Sequence, residues 1–523
     1  MAIVQQGTVN LGAIIVPNVL VNIIPPAISY LNGVPSNIIG LVGAASWGPL
    51  NKPITFGDYA GFVQQFGALA NRPFDMGTAV ALCVLQGAAN FRGVRVSDGT
   101  DVAAAATMTN GSGSIPTVIY TAKYSGTKGN LIKVTLSPGS AAGSQRVVVS
   151  LPGQVQEVFD NIPGAAGALW QNVVNAINNG ISPARGPSLL VVATLTGTPV
   201  VTPAAGETVT VALINGTDGA SGITPSMLLG VDGSPRTGMY ALRNTGAAVA
   251  TLCDFTAMAS FSQIAQFALS EGIYFIQSAP PGECSAGNVA NVAADSATIA
   301  VDTYAFKAMV GDWHYWLDTV NGITRVVAPQ YAYIGLLANL SPEQSGLNKP
   351  VYGLLGTQTT FAGGEYSDAE LQVIAQARMD VITLPSVGGT YYSPRIGINT
   401  SSDFTIHGDN YSRLTPYIAR TFNGALGKWV GKLQTPEQRR NAKAQADAFF
   451  QNMWDLGQIG NAEGTLPYQV ILDISNNPAS RVALGYETAT ANVQYLSVIE
   501  KFILNLQGGQ SVQILSAANQ RPA

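Results

Sequence analysis

Charged side chains are scarce in this sequence. Lysine and arginine number 26 and aspartate and glutamate 30 among 523 residues, so 11% of the chain is charged, compared with about 25% in ordinary soluble domains. A soluble monomer usually carries more surface charge, so two interpretations stay open: a β protein rich in Gly, Ala, Ser and Thr, or a surface largely buried between subunits. The net charge of −4 argues against a nucleic-acid partner, since phosphate binding needs a concentrated basic surface.

Cysteine and early basic residues are also few. Cys83, Cys253 and Cys284 lie far apart and form no Cys-x-x-Cys pair, which indicates buried thiols in a reducing compartment. The first lysine or arginine is Lys52, so no basic region precedes the apolar residues 11–31, which contain three prolines. The sequence therefore predicts neither a secretory signal peptide nor a membrane span.

Patterns that predict catalysis are missing as well. His407, near Asp403 and Asp409, is accompanied by no Gly-x-Ser-x-Gly elbow and no metal-spaced histidine pair. Residues 427–432 resemble a phosphate-binding loop only in part, because the glycine spacing differs and Leu433 stands where Ser or Thr must bind magnesium. We therefore predict no catalytic residues, no cofactor and no metal site, and a protein that is not an enzyme.

The clearest structural pattern present is in residues 36–96. An apolar, β-branched run is followed by a segment with two prolines and a glycine, which neither a helix nor a central strand accepts. Two amphipathic segments and a second β-prone run come next. The predicted unit consists of a strand over residues 37–43, a turn over 47–53, a helix from Asp58 to Gly67, a helix from Asp75 to Asn90 and a strand over 91–96.

This unit resembles the N-terminal region of contractile-tail sheath proteins of myophages, R-type pyocins and related injection machines. The matching segments are Ile39-Gly-Leu-Val-Gly43, Trp47-Gly-Pro-Leu-Asn-Lys-Pro53-Ile54, the helix end from Phe62 to Gly67, and Gly93-Val-Arg95-Val96. Residues 312–318 with Pro329 resemble the central domain of the family, and residues 413–513 its C-terminal domain.

The resemblance implies a structural subunit that polymerises helically around a tail tube and contracts to drive the tube through the target cell envelope. It implies as partners further copies of the chain, the tail tube protein, and the baseplate and tail terminator proteins, with no nucleic acid and no membrane. The implied location is the tail sheath of a virion, assembled in the bacterial host cytoplasm. A hydrolase or glycan-binding structural protein of a phage particle remains the alternative.

The predicted fold is a mixture of α/β and α+β with several domains, a β-rich insertion and terminal arms. The predicted divisions are residues 1–25 (N-terminal arm, part of the inner domain), 26–97 (first part of the middle α/β domain), 98–223 (inserted β-rich outer domain), 224–400 (rest of the middle domain) and 401–523 (C-terminal inner domain, tube-facing and polymerising, with a C-terminal arm).

The insertion is recognised by a change in composition to Gly, Ala, Ser, Thr and Val, with turn signals at short intervals. Its candidate strands cover residues 117–122, 131–136, 146–151, 189–195 and 208–213, and one helix lies near residues 168–178. We expect a small sandwich or barrel with a core of its own. Binding of a host glycan is the functional alternative, and no residue pattern supports it.

Helices and strands alternate between residues 225 and 394, which is typical of an α/β domain. The predicted elements are helices over residues 261–269, 288–307 and 367–379 and a strand over residues 273–276. Ser367 and Glu370 form the capping-box pattern that begins the third helix. Trp313 and Trp316 are interpreted as core aromatics rather than a sugar platform.

Residues 1–16 carry no charged side chain and little helical periodicity, which favours an extended arm. An arm that adds a strand to a neighbour's sheet gains a net ~0.5–1.5 kcal/mol per backbone hydrogen bond; a disordered tail is the alternative. The residues predicted for strand addition between subunits are Ile3, Val4, Val9, Leu11, Ile14, Ile15, Val512 and Ile514.

The strongest helix signal begins at Thr435, an N-cap followed by proline at the first helical position and by Gln438. Beyond this helix, strands are predicted over residues 468–475 and 485–495. Residues 502–507 are predicted to form a hairpin with residues 510–515, while a helix over residues 497–506 remains the alternative.

Basic residues cluster around the start of that helix, with only Glu437 opposing them between residues 428 and 443. Rim-type ionic contacts are weak and screened by salt, which suits a sheath that must release its tube. The predicted tube-contact residues are Lys428, Lys432, Arg439, Arg440 and Lys443. A solvated helix face or a contact between sheath subunits is the alternative.

Overall fold

The computed structural model describes residues 4–6, 21–23, 31–111, 114–165, 167–199 and 201–506. The two N-terminal pieces form parallel strands, β1 (Val4–Gln6) and β2 (Val21–Ile23). Val4 therefore pairs within its own chain, opposite Val21. The other residues predicted for strand addition lie outside the described residues: Ile3, Val9, Leu11, Ile14, Ile15, Val512 and Ile514.

The unit predicted from residues 36–96 is present. It consists of β3 (Ile39–Gly43), β4 (Pro53–Phe56), α1 (Tyr59–Phe66), α2 (Met76–Leu85) and β5 (Phe91–Arg95). The Asp58 carboxylate accepts from the Gly61 amide at 2.7 Å and the Asp75 carboxylate from the Thr78 amide at 2.8 Å, so both helices begin where predicted. Strand β4 was not predicted; it tolerates Pro53 because it is an edge strand.

Residues 105–212 form two antiparallel sheets around one helix. The elements are β6 (Ala105–Thr109), β7 (Pro116–Ala122), β8 (Lys133–Pro138), β9 (Gln145–Ser150), β10 (Glu157–Ile162), α3 (Gly167–Asn179), β11 (Val191–Leu195) and β12 (Val209–Ala212). The sheet orders are β10-β9-β8-β12 and β11-β7-β6. All five predicted strands and the predicted helix are present within about two residues, while β6 and β10 were missed.

The chain then returns to the central region. Its elements are α4 (Pro225–Leu229), β13 (Val249–Leu252), α5 (Phe261–Glu271), β14 (Tyr274–Ser278), α6 (Val292–Ile299), β15 (Phe306–Met309), β16 (His314–Asp318), β17 (Ile323–Val327), α7 (Pro329–Asn339), β18 (Leu354–Thr357), α8 (Gln358–Phe361), α9 (Asp368–Gln376), β19 (Met379–Asp380), β20 (Ile382–Thr383) and β21 (Ser393–Pro394).

A seven-stranded sheet in the order β19-β15-β14-β13-β3-β5-β4 organises this region. Its strand pairs are parallel except for the antiparallel β4 edge. Side chains alternate between its faces: Leu41 packs with α1, α2 and α7, and Val42 packs with α5. Trp313 and Trp316 are buried in the core on the Leu41 side, as predicted. Strands β17, β16 and β18 form a separate small sheet.

Two predicted helices in this region are too long. The prediction over residues 288–307 is wrong beyond α6, because Ala300 takes a left-handed conformation (φ 46°) and the chain enters β15 at Phe306. The capping box at Ser367 and Glu370 is confirmed, but Arg378 has φ 58° and Met379 already belongs to β19. In both places the pairing of the next strand with the central sheet outweighs the helix propensity of the residues before it.

The C-terminal elements are α10 (Asp409–Leu426), α11 (Pro436–Asp455), β22 (Tyr468–Ile471), α12 (Ala479–Val482) and β23 (Thr490–Val493). Thr435 caps α11 as predicted, accepting from the Gln438 amide at 3.2 Å. Residues 497–506 form neither the predicted helix nor, over 502–506, the predicted strand; residues 507–515 lie outside the described part of the chain. No described helix is both long and apolar enough to cross a membrane.

Candidate functional site

The C-terminal region is built on a small core of its own. Phe449, Phe450 and Met453 of α11 pack against Leu414 of α10 and Val470 of β22. The rings of Phe449 and Phe450 lie 5.6 Å apart. We name α10, α11 and the β22–β23 sheet together the C-terminal unit.

Helix α10 attaches this unit to the central region. The buried Arg413 guanidinium donates to the carbonyls of Leu340 at 2.6 Å and Ser341 at 2.8 Å. Burial lowers the pKa of Arg413 to about 10, which still leaves it protonated at neutral pH. Two turns further along, Arg420 donates to the Ala247 carbonyl at 2.8 Å.

A fully buried ion cluster lies beneath the first turn of α10. The Lys307 ammonium on β15 contacts carboxylates of Asp380 at 2.6 Å and Asp409 at 3.1 Å. The hydroxyls of Tyr274 and Tyr333 donate to Asp409. Burial, and secondarily the Asp409 charge, raises the pKa of both tyrosines well above the usual value, so they remain donors. Every member of the cluster is satisfied from within the protein, which indicates a structural role.

Among the described residues, His407 forms no ion pair with either of the carboxylates that are close to it in the sequence. Asp409 belongs to the buried cluster, whereas the Asp403 carboxylate accepts from the Thr405 amide at 2.9 Å, the main cause of its lowered pKa. His407 lies 3.7 Å from Glu500 instead. Within the described ranges, no group of three or more His, Cys, Asp or Glu side chains could hold a metal ion.

The second histidine, His314, is buried in the central core. Burial lowers its pKa to about 3, and neither ring nitrogen has a hydrogen-bond partner in the described part of the chain. A neutral imidazole enclosed in this way has no access to a substrate.

The sheet of the C-terminal unit has two strands in the part of the chain that is described. β22 and β23 pair from Tyr468 opposite Val493 to Ile471 opposite Thr490. Among the residues that the structure describes, neither strand has a second strand partner. Each strand therefore presents one open edge, which is the feature that strand addition requires.

The basic cluster is partly neutralised by acidic residues that lie outside positions 428–443 of the sequence. Arg439 pairs with Glu487 at 3.2 Å, and Lys443 with Asp447 at 2.7 Å. The i,i+4 spacing of Lys443 and Asp447 could have revealed the second pair, whereas Glu487 comes close only through the tertiary fold. Arg440 is exposed.

Lys428 and Lys432 lie together at the Trp429 ring, with their ammonium groups 5.4 and 4.8 Å from its centroid. Arg439 and Lys443 thus form ion pairs on the face of α11, and Arg440 is exposed. Lys428 and Lys432 contact the Trp429 ring in the loop before α11.

Large apolar side chains are exposed where the chain leaves the C-terminal unit. Within residues 499–506, five such side chains are at least 74% exposed: Ile499, Phe502, Ile503, Leu504 and Leu506. A contiguous apolar surface of this kind usually marks a site of association.

No family model matches the chain, and no curated protein matches it. Solved structures do match. The sheath tail protein of Desulfitobacterium hafniense has a TM-score of 0.53 and 17% identity over 87% of this chain and 94% of its own. The sheath tail protein of Listeria innocua has a TM-score of 0.56 and 15% identity over 84% and 89%. The helical sheath of the anti-feeding prophage in its contracted state has a TM-score of 0.52 and 9% identity over 94% and 99%.

These matches extend over nearly the whole length of both partners, so the chain has the fold of sheath tail proteins. The resemblance noted in residues 36–96 and further along the chain is confirmed at the level of the fold, as is the mixed α/β, multidomain class. The predicted domain boundaries and contact residues remain predictions.

Proposed function

We propose that this chain is the structural subunit of a contractile tail sheath, which polymerises helically around a tail tube and shortens to drive the tube through a target envelope. The observation that carries the proposal is the likeness to sheath proteins over 84–94% of this chain. A chain that shared only one domain with sheath proteins would match them over a smaller part of its length. The rival, a hydrolase or glycan-binding protein of a phage particle, is not favoured by these neighbours.

The carboxyl ends of the central strands support a structural role. Open α/β sheets bind ligands where the strand order reverses, here between β3 and β13. The protein's own residues fill this place: the Asp254 carboxylate accepts from the Tyr331 hydroxyl at 2.7 Å and from the Phe74 amide at 2.9 Å. Such a closed network favours a non-enzymatic subunit.

Subunits are linked, in this proposal, by terminal arms that add strands to the open edges of β22 and β23 in neighbouring copies. Residues 1–16 and the segment containing Val512 and Ile514 supply those strands. A head-to-tail contact that does not close on itself generates a helix. A few backbone hydrogen bonds per edge contribute several kcal/mol, at about 1 kcal/mol each.

We further propose how the subunit is oriented relative to the tube. The C-terminal unit, with residues 401–523, faces the tube through Lys428, Lys432, Arg439, Arg440 and Lys443, and residues 98–223 form the outer, inserted domain. Baseplate and terminator proteins close the two ends of the sheath, and the assembled particle is a virion tail built in the bacterial cytoplasm.

Electron microscopy of the purified full-length chain, alone and with its tube protein, tests the proposal. We expect long hollow cylinders. Monomers that persist at high concentration, with and without the tube protein, would overturn the proposal and favour the rival.

A further inference from the structure

A groove crosses the C-terminal unit beside the basic cluster. It lies between the loop that joins α10 to α11, the first half of α11 and the segment that leads into β23. The open volume is about 410 Å³. Its apolar lining comes from Leu426, Trp429, Val430, Ala442, Leu472 and Tyr486. We name this feature the Trp429 groove.

The Trp429 groove has the properties of an unoccupied protein contact. Val430 is 85% exposed and Tyr486 59% exposed, although both side chains are largely apolar. The indole Nε1 of Trp429 is buried and has no hydrogen-bond partner among the residues that the structure describes. Tryptophan and tyrosine are the residues most often found at the energetic centre of protein interfaces, and a buried N–H without an acceptor is costly to leave unpaired.

The rim of the groove is positively charged. The ammonium groups of Lys428 and Lys432 lie at the Trp429 ring. The one acidic lining residue, Glu487, is already paired with Arg439 at 3.2 Å. An incoming carboxylate therefore meets the Lys432 ammonium, and the acidic side chain of the described lining, Glu487, is already engaged.

Charge distinguishes between the candidate occupants. Residues 1–30 contain no acidic side chain, and residues 507–523 contain none either and include Arg521. The exposed segment 499–506 carries Glu500 next to Lys501, and Glu500 already lies 3.7 Å from His407. The terminal segments of a second copy therefore suit the uncharged edges of β22 and β23 better than this basic rim.

We propose that the Trp429 groove binds an acidic segment with one large apolar side chain, supplied by a protein other than this chain. The apolar side chain packs against Leu426, Leu472 and Tyr486, a backbone carbonyl accepts from Trp429 Nε1, and a flanking carboxylate meets Lys432. This inference rests on the proposed function in one respect, since in a sheath the protein that faces this unit is the tube protein. The contact then has an apolar centre that persists in salt and an ionic rim that does not.

A peptide probe tests the chemistry of the groove on the full-length chain. The probe is fluorescein-labelled Gly-Asp-Glu-Asp-Phe-Asp-Glu-Gly, measured by fluorescence anisotropy, with two control peptides in which Gly replaces Phe or Lys replaces every acid. Val430→Asp and Lys432→Glu should each raise Kd at least tenfold. Val155→Asp, at a side chain that is 91% exposed on the β-rich region, is the matched control and should leave Kd unchanged.

Three outcomes would overturn the inference. The probe could fail to bind the unchanged chain at millimolar concentration, or bind Val430→Asp as tightly. A peptide of residues 499–506 could instead bind more tightly than the probe and displace it, which would assign the groove to a second copy of this chain.

Co-assembly with the tube protein separates this inference from the proposed function. If the unchanged chain does not coat tubes, the proposed function fails while the peptide result stands. If the unchanged chain coats tubes and Val430→Asp coats them equally well, the function stands and the groove is not the tube contact. We expect Val430→Asp to reduce coating at low and high salt, and Lys432→Glu to reduce it mainly at low salt.

Discussion

The β-rich region of residues 105–212 and the C-terminal unit differ in how completely each closes its own structure. The β-rich region packs the apolar face of α3 with its two sheets in one core, with residues such as Trp170, Phe159 and Tyr120 fully buried. Within the described residues, the C-terminal unit has seven buried apolar side chains in its core, a sheet of two strands and an exposed apolar exit segment. The β-rich region buries its own apolar core, whereas the C-terminal unit leaves strand edges and apolar side chains exposed for contacts with additional chains.

Their attachments to the central region also differ. The β-rich region shares its core with Trp47, which is 3% exposed and lies in the loop after β3. The Arg95 guanidinium, on β5, donates to the carbonyls of Ser125 at 2.7 Å and Asp218 at 3.1 Å. The C-terminal unit is instead joined through charges buried under α10. The first attachment combines a buried apolar side chain with charged groups that donate to carbonyls, whereas the second is mainly ionic.

The largest effect is expected from the arms. Deleting residues 1–16, or residues 510–523, should abolish polymerisation but leave a folded subunit, because the cores described above use neither segment. Circular dichroism of both deletion variants checks that the subunit is folded, and analytical ultracentrifugation checks that it does not polymerise. Sheaths of normal length from either deletion would contradict it.

A second effect concerns the ionic attachment. Lys307→Met leaves Asp380 and Asp409 buried without their cation, and breaking a buried pair costs about 3–5 kcal/mol. The free energy of unfolding from urea titration should fall by that amount. The control is Lys443→Met, which removes a partly exposed pair with Asp447 and should cost about 1 kcal/mol or less. Equal losses of unfolding free energy in both variants would show that the buried cluster contributes no more to stability than the partly exposed pair does.

A third test addresses whether the β-rich region is separable. Replacing residues 98–222 by a short Gly/Ser linker should still permit assembly, as the turn-rich boundaries predict. The structure adds a condition: the deletion exposes Trp47, so Trp47→Ser in the same chain should improve solubility. In the full-length chain Trp47→Ala should cost about 3–5 kcal/mol.

The separability test has two contrary outcomes. Insoluble product from the deletion even with Trp47→Ser would count against an independent outer domain. Full-length Trp47→Ala with unchanged stability would show that the shared core is not an attachment.

The smallest effect is expected for the basic residues on the helix face. Arg439→Glu with Lys443→Glu should leave sheath polymerisation intact and weaken tube association, most strongly at low salt, where the ionic contacts that these substitutions reverse are not screened. Each exposed contact contributes about 0–1 kcal/mol, and the ion pairs of these residues with Glu487 and Asp447 reduce the effect further.

Lys432→Glu with Arg440→Glu provides the comparison for that pair of substitutions, because neither residue belongs to an ion pair among the described residues. The second double variant should weaken co-sedimentation with tubes more than the first. Unchanged co-assembly of both double variants at low and high ionic strength would show that the cluster is a solvated face or a contact between sheath subunits.

Local signals in the sequence predicted many elements correctly. Asp58, Asp75, Ser367 and Thr435 were identified as helix starts because an N-cap side chain reaches its amide within three residues, an interaction that needs no tertiary partner. Helix α10 was not assigned, and it contains Pro416 in its interior, a residue that ordinarily ends a helix.

The candidate contact surfaces were only partly predictable. The five basic residues were found by counting, but Glu487 neutralises Arg439 across 48 positions of sequence, and no local pattern shows that. The Trp429 groove joins residues from Leu426 to Ala489 and was not foreseen. Because apolar periodicity assigns a side chain to the core without showing which neighbours cover it, exposed Val430 and buried Leu472 look alike in the sequence.

The sequence by itself determined the order of most helices and strands, the low charge and the resemblance to sheath proteins, since these depend on residue type and short-range spacing. Only the tertiary structure decided that Lys307 meets Asp380 and Asp409, that Trp47 belongs to the β-rich core, and that β22 pairs with β23. Those features depend on contacts between residues far apart in the chain, where burial and electrostatic pairing act through space, so spacing along the sequence carries no information about them.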